Sequence, residues 1–176
     1  KIIFQMKHSI LLILFLSFGI LSYGQKVTLT GHEYVEISKS FLTKLRKGED
    51  PSKIVAQYKD FNFESLASQV KSRAEKLAFW INTYNAFVQY LLTNDGSLFE
   101  DRAAFFTQKR MIIAGINMSF DDIEHGIIRD SRVKLGLGIL KKWFPPRFER
   151  KLRIANRDGR VHFALNCGAK TCPPIA

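Results

Sequence analysis

The stretch Ala74-Glu75-Lys76-Leu77-Ala78-Phe79-Trp80-Ile81-Asn82-Thr83-Tyr84-Asn85-Ala86-Phe87-Val88-Gln89-Tyr90-Leu91-Leu92-Thr93 decides the fold. Leu77, Ile81, Tyr84, Val88 and Leu91 recur at alternating steps of four and three, the period of one helical face. Phe79, Trp80, Phe87 and Tyr90 make the other sides apolar as well. A helix that is greasy on most sides belongs in the middle of its domain. One stripe disagrees: Asn82, Asn85 and Gln89 lie at helical spacing on a single face, below Ala78. Buried amides must be hydrogen-bonded. They either tie neighbouring segments to this helix, the plainer reading, or line a pocket and orient a ligand. Asn94-Asp95-Gly96-Ser97 supplies the turn that ends it.

Upstream, residues 32–47 form an amphipathic pattern with Tyr34, Ile37, Phe41, Leu42 and Leu45 on one face and Gly48 as the stop. Asp50-Pro51 restarts a helix, with Asp as cap and Pro at the first position. Phe63, Leu66 and Val70 continue a helical face. Downstream, residues 109–118 read as a tight hairpin through Ala114-Gly115. Ser119 then caps a further helix, with Asp122 in the place of a capping-box glutamate. Residues 131–146 are irregular and glycine-interrupted. Residues 153–166 read as a second hairpin, turning at Asp158-Gly159. The expected class is therefore α+β: mainly helical around a buried central helix, with a small antiparallel sheet from these two hairpins.

The chain has 176 residues, 46% hydrophobic and 24% charged, with fifteen Phe, five Tyr and two Trp. That length and bulk suit one globular domain with a sizeable core. The first segment lies outside it. Met6-Lys7-His8 is a basic start, Ile10 to Leu21 is an apolar run, and Ser22-Tyr23-Gly24 offers small residues for cleavage before Gln25. Residues 1–24 are thus expected to be a secretory signal peptide, with residues 1–5 an upstream artefact. Residues 25–176 form the single domain, and the expected location is periplasmic or extracellular. Removing residues 1–24 takes away Lys1 and Lys7 and no acid, so 27 bases fall to 25 against 16 acids, a net +9. Such charge suits a polyanionic neighbour. After export, an anionic membrane surface, a cell-wall polymer or an acidic substrate fits better than nucleic acid.

Two cysteines remain, Cys167 and Cys172. Close pairs in an oxidising compartment are often one disulfide. A nucleophilic Cys needs a lowered pKa, usually from a His. In a regular strand His162, Ala164 and Asn166 share one face while Phe163, Leu165 and Cys167 share the other. Cys172, beyond the Gly168 turn, is then the better nucleophile and Cys167 the better core residue. Glu124-His125 forms a second candidate, His125 as base or orienter and Glu124 as its charge partner. The blander account is a helix-surface pair, with Asp121 and Arg129 each one turn from His125. Zinc at Cys167, Cys172, His125 and His162 trails, because no paired-His motif accompanies the cysteines. No phosphate loop, dinucleotide fingerprint or nucleophile elbow occurs, and no cofactor is called for. Between Lys141 and Arg160 eight bases face two acids, with Trp143, Phe144 and Phe148 interleaved. This rim either contacts an anionic surface or is merely solvated.

Three blocks together resemble a known family: residues 78–86, residues 119–129, and residues 160–169 through Cys172-Pro173-Pro174. They are similar to the signature of the domain of unknown function 547, over roughly residues 60–176. Members usually run on past the Cys-Pro-Pro segment, so the end of the domain is expected to be missing here. The resemblance implies that Trp80, Asn82, Tyr84, Asn85, Glu124, His125, His162, Cys167 and Cys172 are motif positions; it assigns them no roles. The leading expectation is a thiol-dependent hydrolase or transferase, loosely similar to papain-like or transglutaminase-like enzymes. Cys172 or Cys167 would attack, His162 or His125 would act as base, and Asn82, Asn85 or Glu124 would orient it. The central helix lacks an N-terminal Cys, which departs from those folds. The rivals are a non-catalytic exported binding module with a Cys167–Cys172 disulfide and a metal-dependent enzyme.

Overall fold

The computed structural model describes residues 28–134, 140–156 and 158–166. The segment expected to be a signal peptide and both cysteines lie outside the described residues. The order is α1 (Gly31–Arg46), α2 (Ser52–Asp60), α3 (Phe63–Gln69), α4 (Arg73–Asn94), a 3₁₀ turn (Gly96–Phe99) and α5 (Arg102–Thr107). Then follow β1 (Met111–Ile113), β2 (Ile116–Met118), a π-helical segment (Asp122–Ile128), α6 (Arg147–Leu152) and a single turn, α7 (Val161–Ala164). The class is α+β, mainly helical around α4.

Helix starts follow the local chemistry. Thr30 with Glu33, and Ser72 with Glu75, form complete capping boxes at α1 and α4, so two orphan donors are satisfied at each end. Asp50 does not cap α2 as expected; Pro51 takes that position, and the Asp50 carboxylate accepts from the Ser52 amide at 3.0 Å. The 109–118 hairpin forms as read, with Met111 opposite Met118 and Ile113 opposite Ile116. Ala114 and Gly115 have φ of 53° and 72°, the two positive values a two-residue turn of this kind needs. Their amides donate to the carbonyls of Tyr58 and Lys59, which moors the turn to the end of α2.

The core is aromatic. Tyr58 stacks on Phe79 at 5.9 Å, Phe41 meets Phe87 edge-on at 5.1 Å, and the Tyr58 hydroxyl bonds Thr83 Oγ1 at 2.8 Å. These contacts lock α1 and α2 onto α4 and leave Phe79, Trp80, Tyr84 and Phe87 buried. Trp80 lies edge-on to Phe79 at 5.0 Å, and Tyr84 edge-on to Phe120 at 5.1 Å. Among the described residues, no helix is long and apolar enough to cross a membrane.

The second hairpin, over residues 153–166, does not form. Residues 161–164 make a helical turn, and residues 153 and 154 carry no strand. The Asp158 carboxylate accepts from the Arg160 amide at 3.1 Å and from its guanidinium, while the Val161 amide bonds the Asp158 carbonyl. Asp-Gly here starts a helical turn instead of closing a hairpin, an alternative open to any Asp that can bond amides ahead of it. Val161 and Leu165, one turn apart, are the residues that reach the core.

Candidate functional site

The central helix holds the C-terminal segment at three levels. Arg73 Nη2 reaches the Asn156 carbonyl and the Asp158 carboxylate, each at 3.3 Å. Lys76 Nζ donates to the Arg153 carbonyl at 3.2 Å. About two and a half turns further along, Asn85 Nδ2 donates to the Ala164 carbonyl at 2.9 Å, and its Oδ1 accepts from the Asn166 amide at 2.8 Å. Asn85 is only 4% exposed, so its amide depends on these two part-buried bonds for its partners. Asn166 directly precedes Cys167.

The expected amide wall divides. Asn82 Nδ2 donates to Ser38 Oγ at 3.2 Å and so ties α4 to α1, away from the C-terminal segment. Asn85 therefore serves this region and Asn82 serves helix packing. Trp80 is a core residue. Tyr84 is buried between the core and the acidic start of the π segment; burial pushes its hydroxyl pKa up, and Glu124 and Asp121 add to that.

Ser119 and Asp122 bond reciprocally, at 3.0 and 2.8 Å, at the start of the helical turn that leads into the π segment, as the sequence proposed. The wider winding then changes the pairing. The Arg129 amide bonds the Glu124 carbonyl five residues back, and the same two side chains form an ion pair at 2.7 Å. Asp121 pairs with Lys134 instead of His125. Arg129 Nη2 also contacts His162 Nδ1 at 3.2 Å. One guanidinium nitrogen with two hydrogens thus serves two acceptors, and Glu124, Arg129 and His162 form a continuous chain. Because a guanidinium only donates, Nδ1 accepts and the ring hydrogen of His162 sits on Nε2. An open cleft of about 290 Å³ lies here, lined by Arg129, Asp158, Gly159 and His162. Asp158 is held well below the usual carboxylate range by bonds from the Arg160 side chain and amide, with a further bond from Arg73.

His125 is half-buried, and its Nδ1 has no hydrogen-bond partner among the described residues. Burial lowers its pKa, opposed by Glu124 and Asp121 and assisted by Arg129. Its neighbour Gly126 lies against the wholly buried Glu149, which is paired with Lys142. Among the described residues, no group of three His, Cys, Asp or Glu side chains is arranged to hold a metal.

Sequence reading missed Arg129 as the hub, having treated it only as a neighbour of His125. The signal was the five-residue step from Glu124, which faces its partner in a π turn and not in an α-helix. Glu149, one of the two acids between Lys141 and Arg160, is buried although no local pattern announces it.

The fold and this junction define a class: an α+β protein whose polar centre joins a buried helix, a π turn and a C-terminal segment. Residues 68–176 match the family described as protein of unknown function, DUF547, and the chain belongs to that family. No curated protein and no solved structure matches the chain significantly.

Proposed function

We infer that the chain is an exported thiol-dependent hydrolase or transferase whose nucleophile is Cys172 or Cys167. The observation that carries this reading is the double hydrogen bond from Asn85 to residues 164 and 166. It joins the central-helix block to the segment that enters Cys167, while the Glu124–Arg129–His162 chain joins the π segment to the same place. Polar side chains of all three motif blocks thus engage the stretch from residue 162 to residue 166.

In such a reaction the thiol loses its proton to a base, and the sulfur adds to an acyl carbonyl. The resulting oxyanion collapses to expel the leaving group, which takes a proton, and water or an acceptor then releases the acyl group. His125 is the candidate base, because burial favours its neutral imidazole and its Nδ1 has no partner among the described residues. His162 has Nδ1 occupied and presents Nε2–H, which suits a donor to the oxyanion or leaving group. Glu124 and Asn85 are positioning residues.

One observation favours a second reading, a non-catalytic binding module. The Arg129 contact occupies the His162 nitrogen that would otherwise be free to accept a proton. Thiol counting under denaturing, non-reducing conditions separates the two. A free thiol that alkylates selectively near neutral pH, and slows in His125→Asn, supports the enzyme. A Cys167–Cys172 disulfide with no free thiol in the exported form removes the nucleophile and leaves the binding module.

A further inference from the structure

Trp143 and Phe144 are adjacent and almost wholly exposed, at 91% and 92%, and Leu140 close by in sequence is 63% exposed. Scattered apolar side chains on a surface need no explanation, but two neighbouring large rings in water do. The backbone on both sides is braced. Arg132 and Lys141 form an antiparallel bridge, with the Val133 amide on the Leu140 carbonyl and the Lys142 amide on the Ser131 carbonyl, each at 2.8 Å. On the far side, Arg150 Nη1 donates to the Pro145 carbonyl at 2.8 Å. The rings therefore project from a held turn.

The surrounding charge selects the occupant. Between Lys141 and Arg160 there are eight bases and two acids. Several bases are engaged: Lys142 by Glu149, Lys141 and Arg153 by Asp130, Arg147 by Glu64, Arg160 by Asp158. Setting all four of these carboxylates against the seven bases among the described residues of this stretch still leaves an excess of three positive charges. Exposed Trp and Phe just before a helix that carries Arg150 and Lys151, which make no ion pair among the described residues, match the boundary of an anionic bilayer, where rings sit at headgroup level and cations meet phosphate.

We propose that the Trp143-Phe144 turn docks this protein onto an anionic membrane surface, with the rings entering the headgroup boundary and the flanking bases facing lipid phosphate. The proposal is independent of any chemistry at the cysteines.

The chain holds only two tryptophans, and Trp80 is sealed in the core, so changes in exposed-type emission report Trp143. The test adds phosphatidylglycerol–phosphatidylcholine vesicles, with and without brominated acyl chains, to the full chain. Emission is expected to move to the blue and to be quenched by bromine. Partitioning should weaken with salt and with loss of the anionic lipid. Trp143→Ser/Phe144→Ser is expected to lower partitioning by roughly ten- to a hundred-fold. The apolar run from Ile10 to Leu21 could hold the chain on a vesicle by itself; binding with Trp143 unquenched and no effect of the double substitution would overturn the proposal. So would a blue shift that grows with protein concentration without lipid, which makes a second copy the occupant. Equal response to a soluble polyanion, without acyl-chain quenching, would overturn it in favour of a polymer.

Discussion

Asn85 grips the main chain on either side of Leu165, donating to the Ala164 carbonyl and accepting from the Asn166 amide. An amide can do both at once; a carboxylate cannot. Asn85→Asp keeps an acceptor for Asn166 but turns an oxygen toward the Ala164 carbonyl, and Asn85→Ala leaves both backbone groups unpaired. Each variant should lose about 1–3 kcal/mol, measured by urea unfolding: two part-buried hydrogen bonds at about 0.5–1.5 kcal/mol each in Asn85→Ala, and in Asn85→Asp one such bond together with the cost of a carboxylate facing a carbonyl. Proteolysis near residue 166 should rise in step.

Arg129 Nη2 divides between Glu124 and His162. Arg129→Lys should keep the ion pair and lose the planar reach to the imidazole. The expected result is a loss of about 1 kcal/mol in stability, together with a shift of the His162 tautomer seen in ring ¹⁵N resonances. An unchanged tautomer would mean that the guanidinium does not fix the ring.

Burial lowers the pKa of His125 in the fold from an ordinary value of 6.5. Below that value the unfolded chain takes up a proton that the native ring resists. Stability is therefore complete above about pH 6.5 and falls as pH drops, until the native ring is protonated too. The slope from this group should not exceed roughly 1.4 kcal/mol per pH unit. His125→Gln should flatten that part of the stability profile, read by denaturant titrations at a series of pH values. Carboxylates with lowered pKa, such as Asp158 and Glu75, act at lower pH and leave this window unchanged.

A Cβ at Gly126 would stand 2.7 Å from Glu149 Cδ, in a place where Glu149 cannot withdraw to solvent. Gly126→Ala should cost about 1–3 kcal/mol by overpacking. In a Glu149→Asp background, where the carboxylate is one methylene shorter, the same substitution should cost less. Equal costs in both backgrounds would place the strain in the backbone.

Local rules carried the reading of several elements. The four-and-three spacing across Leu77 to Leu91, the Ser119–Asp122 box and the Ala114-Gly115 turn depend on neighbours a few residues away, so the sequence shows them directly. Even the need for bonded amides on the central helix was legible. Their partners were not: Asn82 and Asn85 lie three residues apart in the same helix, yet one meets Ser38 and the other residues 164 and 166. Which distant segment approaches a helix face is a property of the whole packing.

The same limit explains the second hairpin. Asp158-Gly159 permits either a hairpin turn or the start of a helical turn. The choice fell to Val161 and Leu165, which reach the core when one turn of helix sets them on the same side. The sequence by itself determined the buried helix, the first hairpin and the positive rim, since periodicity, turn chemistry and charge are properties of neighbouring residues. Tertiary structure alone decided the Glu124–Arg129–His162 chain and the Asn85 clamp, because side chains far apart in the chain meet only after the core has set their distance.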